Sequence, residues 1–343
     1  MPFIHRTYLP TIEQAAGVFP VSPEERAEKR RLEEQLKMIL TGKDHRLVII
    51  VGPCAADYED PVMEYVYRLS VLQEAVKDNL LLIPRIYTAK PRSAFSGYTG
   101  MLYYPDPNGE QDIAAGIFTA RRIHLRVLKE CNMLSADELL YLDLLPYLSD
   151  VVSYFAVGAR SVENQMYPWV ASGLDVPVGL KNPRCGEIDV LANAVITAQR
   201  TNKFSFGGSV YETTGNTAAH GILRGYSDFS GVPHSNYGYE TIHQYTEAQR
   251  KKGAVPASVV IDCSHDNSGK RAEKQFEVCH NVLSQMSSFP EMKQAVRGFM
   301  LESYLVSGKC ESESAKAGKS LVDACLGWQE TELLIRQIAD LLP

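Results

Sequence analysis

The chain has 343 residues, 45% of them hydrophobic and 22% charged, with a formal net charge of −6, enough for one large α/β barrel or two smaller domains around a sizeable core. The mildly acidic balance argues against a general partner for nucleic acid or an anionic membrane. No apolar run approaches the ~18–20 residues of a membrane span. The start, MPFIHRTYLPTIEQ, lacks the apolar core of a secretion signal, and seven scattered cysteines without CxxC spacing fit a reduced, cytoplasmic enzyme better than a secreted disulfide scaffold.

Residues 1–45 read as an N-terminal extension, and residues 46–343 as one catalytic domain without an internal linker. In SPEERAEKRRLEEQLKMILTGKD, Ser22-Pro23 with Glu24 and Glu25 opens a helix and Gly42 ends it. Leu32, Leu36, Ile39 and Leu40 recur at helical spacing, so this helix presents one apolar face to the main domain. An oligomer contact or a regulatory role is the alternative use of the extension.

From there the chain alternates. Apolar runs of strand length lie at 47–52, 80–87, 138–145, 151–159, 177–181, 204–208, 258–264 and 298–305, and stretches of helical periodicity separate most of them. Near-continuous apolar strands alternating with helices predict a parallel sheet covered on its outer face. Eight strands in such a length fit a (β/α)8 TIM barrel with an N-terminal helical extension better than an open doubly wound sheet. The third and fourth runs nearly touch, which leaves LDLLPYLSD as a short, poor crossover helix.

In such barrels the reactive groups gather where the strands end. Cys54 follows the first strand, Arg85 lies in the second, and Lys90 and Arg92 follow it; Glu138 opens the third as drawn here. Arg160 ends the fourth and Lys181 the fifth, Arg224 lies in the loop after the sixth, His265 ends the seventh and Glu302 lies in the eighth, with Asp323 in the loop beyond. A thiolate, an imidazole and two carboxylates from Cys54, His265, Glu302 and Asp323 suit a borderline divalent ion such as Mn2+, Fe2+, Co2+ or Zn2+. The basic residues around them outline an anion site. Each member alone has a structural explanation, a hydrogen-bonded histidine or a solvated arginine; the set gathered at strand ends does not.

Other patterns are set aside. Ala317-Gly318-Lys319-Ser320 resembles the end of a phosphate-binding loop, but Glu313 stands where its earlier glycine belongs. The glycines of GGSVYETTGN lack the order and the following helix of a dinucleotide fold. His220, His234 and His243 share no metal spacing and read as loop residues.

Several short motifs in order resemble 3-deoxy-D-arabino-heptulosonate 7-phosphate (DAHP) synthases of the first type. They are GPC (52–54), R-I-Y-x-x-KPRS (85–93), GAR (158–160), G-L-KN (179–182), ILRG (222–225), IDCSHDNSGK (261–270), LESYLVSG (301–308) and GKSLVDACLGW (318–328). The last two point to the longer subclass with an N-terminal extension. The resemblance implies condensation of phosphoenolpyruvate with erythrose 4-phosphate and water at the entry to aromatic biosynthesis. It implies Cys54, His265, Glu302 and Asp323 as metal ligands, and Arg85, Arg160, Lys181 and Arg224 around phosphoenolpyruvate. Lys90 would stand between the substrates, Arg92 and Ser93 at the aldose phosphate, and Glu138 at the active-site glutamate. Lys90, crowded by arginines, is expected to have a lowered pKa and to serve as the proton donor. The resemblance also implies a homodimer or homotetramer and an aromatic amino acid effector.

The chain departs from the family pattern at Ser93, where KPRT is usual, and across 94–137 and 205–240. These loops bear on the aldose end, so a homologue using another aldose phosphate or aldehyde is the alternative. KPRS argues against the arabinose 5-phosphate enzymes, which carry KANRS. An inactive ligand-sensing homologue would have lost a ligand or a phosphate arginine, and none is lost here.

Overall fold

The structure is a computed structural model that describes residues 3–91, 97–253, 257–310 and 318–342. Eight parallel strands form its centre: β1 Leu47–Gly52, β2 Leu80–Pro84, β3 Ala136–Glu138, β4 Tyr154–Val157, β5 Val178–Lys181, β6 His220–Leu223, β7 Val259–Asp262 and β8 Val296–Glu302. Their spatial order is β2-β1-β8-β7-β6-β5-β4-β3, and an isolated parallel bridge between Arg85 and Ala136 joins the two ends. Sequence order is therefore spatial order around a closed ring, the arrangement of a (β/α)8 barrel. Among the described residues, no helix is long and apolar enough to cross a membrane.

Alternation within the strands divides the core. Val48, Ile50, Leu81, Ile83, Ala136, Tyr154, Ile222, Val260 and Met300 share the inner cluster, whereas Leu47, Ile49 and Val51 pack outward with the helices. All six residues of β1 are buried, as expected of a strand covered on both faces. Before β1 come α1, Ile12–Val18, and α2, Pro23–Leu40. Ser22 caps α2 in a reciprocal capping box with Glu25, and the chain leaves through Gly42 at φ +76°. Leu36, Ile39 and Leu40 are buried in the inner cluster with Leu32 against them, so α2 stoppers the end of the barrel where the strands begin.

Two strand assignments need correction. The run 138–145 is not the third strand; β3 is only Ala136–Glu138, so Glu138 ends it rather than opens it. The apolar residues that follow, Leu139, Leu144 and Leu145, are buried in a turn and a 3-10 helix, Leu142–Tyr147, which is the poor crossover expected there. Apolarity reported burial, not extension. The run 204–208 is not the sixth strand either. It belongs to an antiparallel hairpin, Lys203–Phe206 with Ser209–Glu212, outside the barrel. Gly207 and Gly208, at φ +54° and +80°, make the two-residue turn that such a hairpin requires. The sixth strand is His220–Leu223, so Arg224 follows it directly. His220 is accordingly no loop residue: it is buried in the wall, with Tyr154 Oη 2.9 Å from its Nε2. His243 lies on the helix Tyr239–Lys251, and His234 in a two-residue strand pairing.

Candidate active site

The ends of these strands bring most of the expected residues to one mouth. Arg85, Lys90, Glu138, Arg160, Lys181, Arg224, His265 and Asp323 line a single cavity of about 300 Å³. Cys54 and Glu302 lie beside it, buried. Arg92 and Ser93 fall outside the described residues. Gly158, after β4, leaves room for Glu138: a Cβ there would strike the carboxylate.

On one side of the mouth, ligand atoms of Cys54, Glu302 and Asp323 all lie within 4.8 Å of one another, with Cys54 Sγ 3.4 Å from Asp323 Oδ2. His265 stands at the edge of this group, its Nε2 3.9 Å from Glu302 Oε1. Its other ring nitrogen, Nδ1, is 3.0 Å from Asp262 Oδ2 and 2.8 Å from Ser264 Oγ. A carboxylate behind an imidazole is the usual support of a metal-binding histidine. Burial pushes the Cys54 thiol up to about 12, and Glu302 adds to the effect. A thiol among carboxylates becomes a thiolate only when a cation offsets the charge, and the set S, O, O with N alongside is one that a borderline divalent ion accepts. The residues fit such an ion.

Arg85 ties this cluster to the wall. It is fully buried, donates to the Pro53 carbonyl and to Glu302 Oε1 at 3.0 Å, and lies over the Tyr87 ring at 3.8 Å. Burial alone would raise the Glu302 carboxyl, but Arg85, His265 and Lys90 hold it at about 2. Lys90 Nζ donates to the Cys54 carbonyl at 3.2 Å and lies 3.9 Å from Glu302. The expected lowering of Lys90 is overturned. Burial does press its ammonium down, but Cys54 and Glu302 outweigh burial and Arg85, and raise it above the ordinary lysine range.

The opposite side is cationic. Lys181 Nζ donates to Asp262 Oδ2 at 2.9 Å, and Arg224 Nη1 to Asp266 Oδ2 at 2.7 Å. Desolvation lowers Lys181, and at the rim desolvation and then Arg184 lower Arg160. Burial raises Glu138 despite the cations Lys90, Lys181 and Arg85. Surrounded in this way, the cavity is built for an anion with more than one charged group, since guanidinium forks and an ammonium match carboxylate and phosphate oxygens.

Sequence reasoning missed several contributors. Arg184, Asp266 and Lys270 also line the cavity. Asn182 accepts the Arg224 backbone N–H at 2.9 Å and donates to the Gly225 carbonyl, so it joins the ends of β5 and β6. Its position beside Lys181 in K-N, and that of Asp262 and Asp266 around His265, were the available signals.

Comparison with known proteins agrees. The family model described as the DAHP synthetase I family matches residues 19–336. The Phe-sensitive phospho-2-dehydro-3-deoxyheptonate aldolase of Escherichia coli (strain K12) is 37% identical over 312 residues, 88% of this chain and 85% of that one. The phospho-2-dehydro-3-deoxyheptonate aldolase of Haemophilus influenzae is 34% identical over 330 residues, 94% of this chain and 88% of that one. A solved phospho-2-dehydro-3-deoxyheptonate aldolase from Francisella tularensis SCHU S4 superposes with a TM-score of 0.91 at 27% identity, covering 99% of this chain and 98% of the other. With the family model spanning nearly the whole chain and relatives above 30% identity matching along most of their own length, this chain belongs to the DAHP synthetase I family of enzymes.

Proposed function

We propose that the protein condenses phosphoenolpyruvate with erythrose 4-phosphate and water, giving 3-deoxy-D-arabino-heptulosonate 7-phosphate and inorganic phosphate. The observation that carries this reading is the pairing, in one barrel mouth, of a cation-lined cavity with a Cys54–Glu302–Asp323 cluster. In the reaction, the enol carbon of phosphoenolpyruvate forms a bond to the aldehyde carbon. Water adds at C2, and phosphate leaves with cleavage of the C–O bond.

Arg160, Lys181 and Arg224, with Arg85 beneath, bind the carboxylate and phosphate of phosphoenolpyruvate and hold its reacting carbon toward the Cys54 side. Cys54, His265, Glu302 and Asp323 hold the divalent ion, whose contribution when bound is Lewis-acid polarisation of the aldehyde oxygen. Lys90, between the Cys54 carbonyl and Glu302, stands where it can give a proton to the developing alkoxide. Glu138, which ends β3 and lines the cavity, takes a proton from the attacking water in this reading. Arg92 and Ser93 receive the aldose phosphate. Residues 1–45 form an extension to a catalytic barrel of residues 46–343. The chain works as a homodimer or homotetramer in the cytoplasm. Because relatives carry the names Phe-, Tyr- and Trp-sensitive, an aromatic amino acid is the proposed effector.

The test is phosphoenolpyruvate consumption by chelator-treated protein with Mn2+ restored, comparing erythrose 4-phosphate with arabinose 5-phosphate. Turnover confined to erythrose 4-phosphate and dependent on the metal is expected. Turnover with neither sugar, while phosphoenolpyruvate still binds, would move the search to another aldehyde.

A further inference from the structure

Seven of the eight neighbouring strand pairs are joined by ladders, and the eighth, β2 against β3, is not. That seam has the bridge Arg85–Ala136 and one further backbone bond, Ile86 N to the Ala136 carbonyl at 2.8 Å. The next donor in the alternation is Thr88 N, and its ladder partner would be the Glu138 carbonyl. That carbonyl instead accepts from Leu140 N at 2.9 Å, because the chain turns immediately after β3.

A side chain fills the gap. Asp137 Oδ1 accepts from Thr88 N at 2.9 Å and from Glu138 N at 2.7 Å. Its Oδ2 accepts from Thr88 Oγ1 at 2.5 Å and lies 3.1 Å from His124 Nε2. The other ring nitrogen, His124 Nδ1, is 2.9 Å from Ser135 Oγ. With the imidazole proton on Nε2 and the Ser135 hydroxyl donating to Nδ1, every group is satisfied, and the carboxylate makes four hydrogen bonds, its full capacity. His124, Asp137, Thr88 and Ser135 are all 2% exposed or less. A buried histidine–carboxylate pair is a costly way to close a wall that apolar packing could close, so its location matters. It lies directly behind the reacting groups: Lys90 is two residues beyond Thr88, and Glu138 is the next residue after Asp137. Thr88 is fixed from its other side too, its carbonyl accepting from Leu102 N at 2.9 Å, and Lys90 N donates to the Thr99 carbonyl at 2.9 Å.

We propose that Asp137, oriented by His124, is a positioning residue that joins β2 to β3 and thereby sets Lys90 and Glu138 relative to each other. The proposal rests on the reading of the reaction given above. Neither Asp137 nor His124 lines the cavity. Their effect is on the geometry of groups that do, where a displacement of about 1 Å costs ~100-fold in rate.

The variants are Thr88→Val, which removes only the hydroxyl and keeps shape and backbone donor, Thr88→Ser, which keeps the hydroxyl, Asp137→Asn and His124→Leu. Thr88→Val and Asp137→Asn are expected to lower kcat about ten- to a hundredfold per folded molecule, with KM for phosphoenolpyruvate within about threefold. Thr88→Ser is expected to keep kcat near wild type, and Asp137→Asn to speed amide exchange in the segment 86–91. Unchanged kcat per folded molecule in Thr88→Val and Asp137→Asn would overturn the proposal, as would a loss that follows only the unfolded fraction. Should Asp137→Asn fail to fold, Thr88→Val decides. A wild-type protein that turns over no aldose phosphate would instead overturn the reaction, and amide exchange in Asp137→Asn would then still decide the clasp: unchanged exchange sinks it.

Discussion

The two sides of the barrel mouth solve opposite electrostatic problems. Between β1 and β8, Cys54, Glu302 and Asp323 crowd together, with Arg85 and Lys90 offsetting them and His265 at the edge. Between β4 and β6, Lys181 and Arg224 each keep a carboxylate beneath them, and Arg160 and Arg184 repel one another at the rim. Each side is incomplete in the sign that its proposed occupant carries. The contrast recurs at smaller scale in two buried carboxylates near the first side. Glu302, beside Arg85, is held at about 2. Asp57, which has Tyr304 and backbone N–H groups but no cation, is pushed by burial up to about 6 and leaves Oδ2 without a partner. Identical chemistry at similar depth is thus sorted by whether a guanidinium is within reach.

The most severe break in this comparison is Cys54→Ala. It removes one donor of the cluster, and activity is expected to fall by more than ~100-fold, with metal retained after dialysis falling in parallel. Unchanged turnover with metal present would remove Cys54 from the ligand set. On the cationic side, Arg160→Ala should weaken phosphoenolpyruvate by about 1.5–3 kcal/mol, ~10- to 100-fold in half-saturation, while metal content stays at the wild-type level. Normal saturation in that variant would refute the assignment. Losses that cross over, metal with Arg160 or phosphoenolpyruvate alone with Cys54, would dissolve the division itself.

The smallest effect concerns Asp57. Its folded pKa, about 6, exceeds its ordinary value of 3.8, so the native state holds more protons between those values and stability falls as pH rises through that window. Above about 6 the penalty is complete. Asp57→Asn lacks it, so the variant's stability relative to wild type should rise with pH across the window by on the order of 3 kcal/mol, then level off. Urea denaturation at several pH values measures it. A flat difference would show that Asp57 is ionised like a surface carboxylate.

Legibility followed the same physics. β1 was read with its bounds intact because five consecutive apolar residues bounded by charge and by Gly-Pro admit little else. That these residues would meet at one mouth was legible because charged groups that close apolar strands have no packing explanation, and the motifs around them fixed their order. The errors arose where apolarity and extension part company. Leu139, Leu144 and Leu145 are buried without being in a strand, and His220–Leu223 is a full barrel strand of four residues that opens with a histidine and a glycine. Gly221 has Tyr245 against it, and His220 finds Tyr154, partners from distant segments that no local window contains. Lys90 failed for a related reason. Its arginine neighbours are visible in sequence, but the balance of Cys54 and Glu302 against them exists only in three dimensions.

The position of α2 has a consequence for how the chain is made. The stopper precedes the vessel: Leu32, Leu36, Ile39 and Leu40 leave the ribosome before the strands of the barrel, while the ring they close is not complete until β8 meets β1, roughly 250 residues later. Throughout that interval the helix carries an apolar stripe with nowhere to settle. A nascent chain stalled anywhere before β8 therefore carries an amphipathic helix whose seat is unfinished, a natural handle for chaperones and a hazard wherever two such chains meet.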